Sequence, residues 1–218
     1  MDENLEVKKL LHVPGNPGLH GVAFMEDLQQ FAVVSTAWDS VLLVDASLKI
    51  TGELKYSRRP GVRAAHHCND IAWLDGNLFL SMFSESGYWR QGVYDGVVVA
   101  LDPNGSKPPQ TVMRNLHMPH SPTFYDDELL VCDSLRGNLV GPLGKPVGQF
   151  SGFVRGLART GDYWLLGQSR NRNSGLVLGE SQSISIDNGF VLLDPASSLY
   201  TFRRLPDEIS EIHAVMVR

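Results

Sequence analysis

Five nitrogen-bearing side chains each stand directly before a short, mostly apolar run in this 218-residue chain: His20, Asn69, His120, Arg155 and His213. Neutral imidazole serves proteins as a general base and as a ligand for transition metals. A guanidinium holds negative charge that a substrate carries or develops during a reaction. The set therefore predicts a polar site, provided that the fold brings together segments that lie far apart along the chain.

The runs that follow these residues repeat one pattern, and such repeats identify a fold before local signals do. A turn signal such as Asp75-Gly76 follows each of the first four runs, and a second strand comes after it. Third and fourth strands are predicted in three of these four repeats. Four antiparallel strands repeated around an axis form the blade of a β-propeller. The sequence therefore predicts an all-β fold, a single β-propeller domain over residues 1–218 with blades starting at about 19, 68, 119 and 154.

The repeats predict about five blades, of which the last is thin or shared. Only one strand-length run, residues 212–217, remains for the inner strand of that blade. Residues 4–13 are predicted to return as its closing strand. Because an open sheet edge promotes aggregation, a homodimer that covers the edge is the alternative arrangement.

Polar residues are predicted to gather at one face of the ring, where first strands begin and second strands end. Two long loops, residues 83–95 and 170–188, leave from this face, and loops of such length are commonly functional. The second loop includes the small-polar tract 181–183. We expect Trp89 to cap a pocket for an anionic or sugar-like ligand, ringed by four guanidinium groups: Arg90, Arg155, Arg170 and Arg172.

Three imidazoles in the axial set suggest a metal site. His20, His120 and His213 are predicted to hold one divalent transition metal ion, with Asn69 or water as the fourth partner. The alternative is that these side chains line the channel and bind only water. Arg155 in the same ring opposes a cation, and it favours an anion held between arginine and histidine instead.

The residues next to the axial positions have competing interpretations. Asn69 and Asp70 either cap the blade by bonding loop amides or, in the case of Asp70, orient a channel histidine. Ser121 is predicted to contact the ligand. A role for it as nucleophile is disfavoured, because Pro119 and Pro122 indicate a rigid turn and no nucleophile elbow surrounds it.

Composition excludes several classes of function. The net charge of −5 argues against nucleic-acid binding. The chain has no apolar stretch of about 18 residues, which argues against a membrane span, and its acidic start lacks the features of a signal peptide. Cys68 and Cys132 lie in different repeats, so we expect no structural disulfide and a cytoplasmic location. The expected partner is a small polar or anionic molecule.

Three motifs resemble those of an uncharacterised bacterial β-propeller family, which carries H-x-N-D-x-A, M-P-H-S-P and G-F-x-R-G-L-A. Here they read HCNDIA from His67, MPHSP from Met118 and GFVRGLA from Gly152. The resemblance runs from about Gly18 to the end of the chain, and it implies the propeller fold. Members of that family are longer at the amino terminus, where the extra segment would complete the ring.

The layout is more distantly similar to gluconolactonase-like and strictosidine-synthase-like propellers. That resemblance implies a divalent metal held in the channel by Glu, Asn and Asp. The chain keeps Asn69 but has His20 where an acidic ligand is expected. Because Ca²⁺ prefers oxygen ligands, this difference argues against a calcium site. Resemblance at this distance implies a fold rather than a function.

Two functions follow from these observations. The first is an enzyme, hydrolase-like, lactonase-like or metal-dependent, in which His120 or His213 is the base and Arg155 holds developing charge. The second is a non-catalytic binding or scaffold propeller whose long loops contact a protein or glycan. Convergence of the axial residues on one pocket favours the first. Imidazoles that are all satisfied by backbone carbonyls favour the second.

Overall fold

A computed structural model describes residues 7, 9–57, 59, 61–172 and 184–217. Within these residues the chain forms four sheets of four antiparallel strands each. The first blade comprises β1 (Leu19–Met25), β2 (Gln30–Ser35), β3 (Ser40–Asp45) and β4 (Ile50–Lys55), and the second β5 (Cys68–Leu74), β6 (Asn77–Met82), β7 (Gly96–Leu101) and β8 (Gln110–Leu116). The third comprises β9 (Pro119–Tyr125), β10 (Glu128–Asp133), β11 (Asn138–Val140) and β12 (Pro146–Gln149), and the fourth β13 (Phe153–Thr160), β14 (Tyr163–Ser169), β15 (Gly189–Asp194) and β16 (Leu199–Arg204).

The strands of each blade are neighbours in chain order, so every connection within a blade joins adjacent antiparallel strands. The turn between β5 and β6 shows how the sequence fixes this order. Asp75 and Gly76 both have positive φ, 48° and 77°, as a two-residue type I′ hairpin requires. Residues that tolerate this conformation stand where two apolar runs must fold back on each other.

The core lies between consecutive blades. One apolar cluster joins the first two blades through residues such as Val34 and Leu80. A second joins blades two and three through Val98 and Val131, and a third joins blades three and four through Leu139 and Leu166. Burial of these side chains, each worth about 1.5–3 kcal/mol relative to exposure, packs the blades face to face and holds their first strands near the axis.

The prediction of about five blades is wrong, because the described residues contain four sheets. Residues 212–217 do lie beside β13, where Ile212 is buried, but the described part of this segment forms no strand. The predicted closing strand, 4–13, is not found over residues 7 and 9–13, where Leu10 is 82% exposed; residues 4–6 and 8 lie outside the described residues. A single segment without a partner cannot form a blade, and no fifth sheet closes the ring in the part of the chain described.

The helices that the structure describes are three-residue 3₁₀ turns, such as Trp89–Gln91. None of them has the length and apolar character needed to cross a membrane.

Candidate functional site

Four of the five predicted axial residues, all except His213, lie at one structural feature, a β-bulge near the start of each inner strand. The pairing of β1 with β2 shifts register between Leu19 and Val22, and that of β5 with β6 shifts between Cys68 and Ile71. Equivalent shifts occur in β9, opposite Leu130 and Cys132, and in β13 at residue 156. A bulge interrupts the alternation of side chains. Two successive residues of each of these strands can therefore face the axis.

The upper cavity brings together seven of the predicted site residues. It has a volume of about 330 Å³, within the range of small-molecule sites. Its lining comes from all four blades and from the carboxyl-terminal segment: His20, His67, Phe83, Trp89, Met118, His120, Phe153, Arg155, Ser169, Arg170, Arg172, Glu211 and His213.

A second space, the lower channel, continues along the axis with a volume of about 650 Å³. His20 and His213 line both spaces. Below them the lining comes from the second residue of each motif, including Asp70 and Ser121. These two predicted ligand-binding residues therefore face the channel rather than the upper cavity.

Two further predicted residues lie outside the upper cavity. Asn69 is fully buried, and its Oδ1 accepts hydrogen bonds from the backbone amide of Asp70 at 2.6 Å and the hydroxyl of Ser81 at 2.5 Å. These contacts are those of a capping residue within its own blade. Arg90 is exposed, donates to the carbonyl of Arg63 at 3.1 Å and lies 5.3 Å from the centre of the Trp89 ring.

Asp70 links three inner strands by hydrogen bonds. Its carboxylate contacts Nδ1 of His20 at 3.1 Å and accepts from the backbone amide of Ser121 at 2.9 Å. The hydroxyl of Ser121 in turn accepts from the amide of Gly156 in β13, at 2.8 Å. Burial acts to raise the pKa of Asp70, but the hydrogen bond from His20 and the neighbouring imidazoles outweigh it and lower the pKa. Asp70 is thus an ionised carboxylate at the axis.

The bond to Asp70 fixes the tautomer of His20. An ionised carboxylate can only accept, so Nδ1 of His20 carries the hydrogen and Nε2 carries a lone pair when the ring is neutral. Nε2 makes no hydrogen bond with any residue that the structure describes. The second predicted interpretation of Asp70, as the residue that orients a channel histidine, matches this geometry.

His120 presents a lone pair in the same way. Its Nδ1 lies 2.9 Å from the carbonyl oxygen of Met118 and 2.9 Å from the hydroxyl of Ser134. The carbonyl can only accept, so Nδ1 is the donor and Nε2 the acceptor. Burial, assisted by the charge of Arg155 and opposed by that of Asp70, lowers the pKa of His120 to about 3. The ring is neutral at physiological pH.

A fourth imidazole, His67, was not among the predicted site residues. It stacks on Phe83 with ring centroids 4.1 Å apart and meets Trp89 edge-on at 4.6 Å. Burial lowers its pKa to about 3, and its buried Nδ1 has no hydrogen-bond partner among the described residues. Its φ of 52° is rare for a side-chain-bearing residue. The adjacent pair His66-His67 was the sequence signal that could have identified it.

The three predicted metal ligands approach one another without forming a metal site. The His20 ring lies 6.0 Å from that of His120 and 5.7 Å from that of His213, between centroids. Nε2 of His213 contacts the carboxylate of Glu211 at 3.2 Å. Among the residues described, no group of three His, Cys, Asp or Glu side chains is placed to hold a metal ion.

Arg155 is paired with a carboxylate that the sequence interpretation missed. It is 5% exposed, and its Nη2 donates to Oε2 of Glu211 at 2.6 Å. Its Nε donates to the carbonyl of Ile212 at 2.7 Å and to the hydroxyl of Ser169 at 3.1 Å. Glu211 also binds Arg172 at 2.8 Å. Glu211 stands two residues before the last axial motif, outside the repeated pattern, which is why the repeats did not reveal it.

Glu211 is consequently charged. Burial acts to raise its pKa, but the hydrogen bond and charge of Arg155, with the charges of Arg172 and His213, hold the pKa below its ordinary value. The pKa of His213 is also lowered, first by burial and then by the charges of Arg155 and His20, despite the opposing effect of Glu211. This side of the cavity carries an ion cluster of Glu211 with Arg155 and Arg172.

The remaining wall of the upper cavity is apolar. Phe83, Met118 and Phe153 are buried in one cluster, with Trp89 packed against it. Trp89 is fixed by a hydrogen bond from Nε1 to the carbonyl of Ala64 at 2.7 Å. The loop that carries it, 83–95, is closed at its base by Ser84 and Asp95, which hydrogen-bond at 2.5 Å. Arg170 and Arg172 belong to the other long loop, of which residues 173–183, including the tract 181–183, lie outside the described residues.

Comparison with solved structures supports the fold. A chain of the nidogen–laminin complex matches with a TM-score of 0.61 at 12% identity, over 90% of this chain and 66% of that one. The PQQ-bound aldose sugar dehydrogenase of Streptomyces coelicolor matches at 0.55 with 18% identity, over 76% and 60%. A gluconolactonase-like protein matches at 0.51 with 11% identity, over 90% and 80%. The chain spans less than two thirds of the first two, and such identities show a shared propeller fold alone.

No curated protein matches the sequence. A family model described as a domain of unknown function, DUF4915, matches residues 1–217. That match covers nearly the whole chain, and it agrees with the predicted resemblance to an uncharacterised propeller family. The chain belongs to the DUF4915 family.

Proposed function

We propose that the upper cavity binds a small hydroxylated molecule that carries an anionic group, such as a sugar acid. The observation that supports this most is the division of the cavity into two ends. Hydrogen-bond acceptors lie at the axial end, and cationic side chains lie at the open end. A ligand that matches both ends has hydroxyl groups at one side and a negative charge at the other.

The axial end suits hydroxyl groups because it offers lone pairs. His20 and His120 each use Nδ1 for a contact within the protein, so each has Nε2 as an acceptor. Neither Nε2 has a hydrogen-bond partner among the residues described. A ligand hydroxyl can donate to such a nitrogen, whereas a carboxylate oxygen cannot. A hydroxylated ligand would supply a donor to each of these two nitrogens.

The open end suits an anion because positive charge exceeds negative charge there. Three arginines line the cavity, and two carboxylates pair with them: Glu211 with Arg155 and Arg172, and Asp207 with Arg170. Arg155 is buried and paired, while Arg170 and Arg172 are 47% and 70% exposed. Guanidinium groups match the geometry of carboxylates and phosphates. In a chain with a net charge of −5, this local excess favours an anionic ligand at the mouth.

The scaffold alternative is less consistent with the site. It requires the axial imidazoles to be satisfied by backbone carbonyls. Only His120 meets a carbonyl, while His20 and His213 contact carboxylates. The apolar wall formed by Phe83, Trp89 and Phe153 also suits one face of a sugar-like ring better than an empty structural channel.

Calorimetric titration with three probes tests the proposal. D-Gluconate carries hydroxyl groups and a carboxylate, sorbitol only hydroxyl groups, and propionate only a carboxylate. We expect D-gluconate to bind at least tenfold more tightly than either partial probe. The double variant Arg170→Gln, Arg172→Gln should lose about tenfold, close to 1.4 kcal/mol.

The matched control is Arg159→Gln, which removes an exposed, ion-paired arginine outside the upper cavity. Its affinity should equal that of the wild type. Binding of propionate as tight as that of D-gluconate would contradict a role for the imidazole acceptors. Absence of heat with D-gluconate would contradict the proposed ligand class.

A further inference from the structure

Among the residues described, the upper cavity has a base but no protein nucleophile in position. Ser121 faces the channel, where its hydroxyl lies 3.3 Å from Asp70 and accepts from Gly156. The hydroxyl of Ser169 accepts from Nε of Arg155 and from the amide of Ile212. Neither serine contacts an imidazole. Burial raises the pKa of both thiols, Cys68 and Cys132. The hydroxyl of Ser134 contacts Nδ1 of His120, but Ser134 is fully buried and does not line the cavity. None of the described residues is thus placed as a nucleophile, which leaves water as the attacking group.

His20 is the imidazole best placed to activate that water. Its Nδ1 is held by the buried carboxylate of Asp70, and its Nε2 is open to the cavity. A carboxylate on one ring nitrogen orients the imidazole and stabilises the positive charge that forms when the other nitrogen accepts a proton. His120 has no carboxylate partner of this kind. The carboxylate that contacts His213 is shared with Arg155 and Arg172.

Arg155 is placed to hold an oxyanion. Contacts with Ser169, Ile212 and Glu211 fix its Nε and Nη2. Its Nη1 makes no hydrogen bond with the described residues, although the side chain lines the cavity. A donor fixed in advance in the wall of a buried site is the arrangement that stabilises charge developing in a transition state.

The depth of each side chain in the cavity indicates which part of the ligand His20 and Arg155 would contact. Arg155 is 5% exposed and His20 21%, whereas Arg170 and Arg172 are about half exposed or more. The rim arginines would hold the free anionic group, so the reacting carbonyl is a different group, deeper in the cavity. An acyl ester on a ligand hydroxyl meets this condition. A lactone of a monocarboxylic acid does not, because its only carboxyl group is the one that reacts.

We infer that this site hydrolyses an O-acyl ester of a hydroxylated acid, with His20 as general base, Asp70 as its positioning residue and Arg155 as the oxyanion donor. Nε2 of His20 takes a proton from water while the water oxygen bonds to the ester carbonyl carbon. The resulting oxyanion is held by Arg155. Its collapse breaks the bond to the alkoxy oxygen, which receives the proton back from Nε2. The products are the free hydroxy acid and a carboxylic acid. This inference rests on the proposed ligand class.

Release of acetate from 6-O-acetyl-D-gluconate, followed by proton NMR, tests the reaction. We expect turnover by the wild type and a loss of about 10²- to 10⁴-fold in kcat/KM for His20→Ala. Added imidazole should restore part of the activity of His20→Ala. A purely structural role of His20 would not give such rescue. The control His12→Ala removes an exposed histidine outside the cavity and should keep wild-type activity.

The role of Asp70 is tested by Asp70→Asn. We expect kcat to fall about tenfold or more while the affinity for D-gluconate, measured calorimetrically, stays within twofold of the wild type. An equal loss of kcat and affinity would instead make Asp70 a structural residue. If Asp70→Asn does not fold, imidazole rescue of His20→Ala still tests His20 as the general base on which the inference depends.

Different results separate the two proposals. Binding of D-gluconate without release of acetate would overturn the hydrolytic inference and leave the ligand class intact. Absence of D-gluconate binding would overturn the ligand class. Faster hydrolysis of D-glucono-1,4-lactone than of the acetyl ester would overturn the assignment of the rim arginines to a free carboxylate. Exchange of the hydrogen next to the carboxylate in D₂O, without ester cleavage, would overturn hydrolysis.

Discussion

The four-bladed body and the carboxyl-terminal segment, residues 205–217, supply the same kind of residue to the axis by different means. In the body, the axial residues stand on strands with backbone partners, such as β9 on β10. Residues 205–217 form no strand. Side chains hold it instead: Arg155 and Ser169 bind the carbonyl of Ile212, and Glu211 binds Arg155. A position in the ring can thus be filled by packing and ion pairing without a sheet.

This difference predicts that the two regions fail in different ways. Damage to the body should unfold the blades, because their inner strands share one buried network. Damage to the segment should remove its contribution to the cavity wall, Glu211 and His213, while the four sheets persist. The three tests that follow go from the largest expected effect to the smallest.

Gly21→Ala should have the largest effect, because it acts within the body. A Cβ at this position would lie 2.7 Å from Cα of Asp70 and 2.8 Å from the carbonyl oxygen of Asn69. Both contacts are with backbone, so the two inner strands would have to separate. We expect a loss of about 3 kcal/mol in the free energy of unfolding, measured by denaturant titration.

The control for this test is Gly52→Ala in β4. There a Cβ would meet only side-chain carbon of Leu43, at 3.5 Å, and we expect a change within about 0.5 kcal/mol. Equal losses for the two variants would show that the close approach at Gly21 is not a special constraint of the body.

Glu211→Gln should have a smaller effect, concentrated in the segment. The substitution leaves the buried guanidinium of Arg155 without its anionic partner. Removal of one member of a buried ion pair costs about 3–5 kcal/mol, but Glu211 is 19% exposed, so we expect about 2 kcal/mol. Amide exchange should increase at residues 211–217 and remain slow in the strands.

Asp126→Asn is the matched control, since it breaks an ion pair with Arg159 in which the two side chains are 88% and 41% exposed. Its cost should be below about 1 kcal/mol. Faster exchange throughout the blades in Glu211→Gln would contradict the separation between segment and body.

The smallest expected effect is the pH dependence of the stability that Glu211 contributes. The folded protein holds the pKa of Glu211 below its ordinary value of 4.5. The ion pair therefore contributes fully above pH 4.5, and its contribution is lost as pH falls through the lowered pKa. We expect the difference in unfolding free energy between wild type and Glu211→Gln to be constant at neutral pH and to shrink below pH 4.5. A difference that grows on acidification would contradict the assigned charge state.

The sequence predicted the blades well where turn chemistry was explicit. Inner strands predicted from about 19, 68, 119 and 154 begin at Leu19, Cys68, Pro119 and Phe153. The third and fourth strands of the third blade were not predicted. They are short, Asn138–Val140 and Pro146–Gln149. Each contains too few apolar residues to show the two-residue alternation of a strand.

The site was predictable only in part. The bulges interrupt the two-residue alternation of side chains, so the alternation alone does not show which residues face the axis. Asn69 and His120 occupy equivalent motif positions, yet Asn69 bonds within its own blade and His120 lines the cavity. Seven of the predicted residues do converge on the upper cavity. Glu211 and His67 were missed because one stands outside the repeat and the other depends on a left-handed backbone that its residue type does not signal.

The bulges also determine which side chains set the width of the lower channel. The second residues of the five axial motifs are Gly21, Asp70, Ser121, Gly156 and Ala214, and all five line the lower channel. Four of them are small. At this level one carboxylate side chain, that of Asp70, fills the ring, so a shorter residue there would widen the passage toward His20 without changing any residue that lines only the upper cavity. The residue that narrows the bore is thus the same one that orients His20 above it.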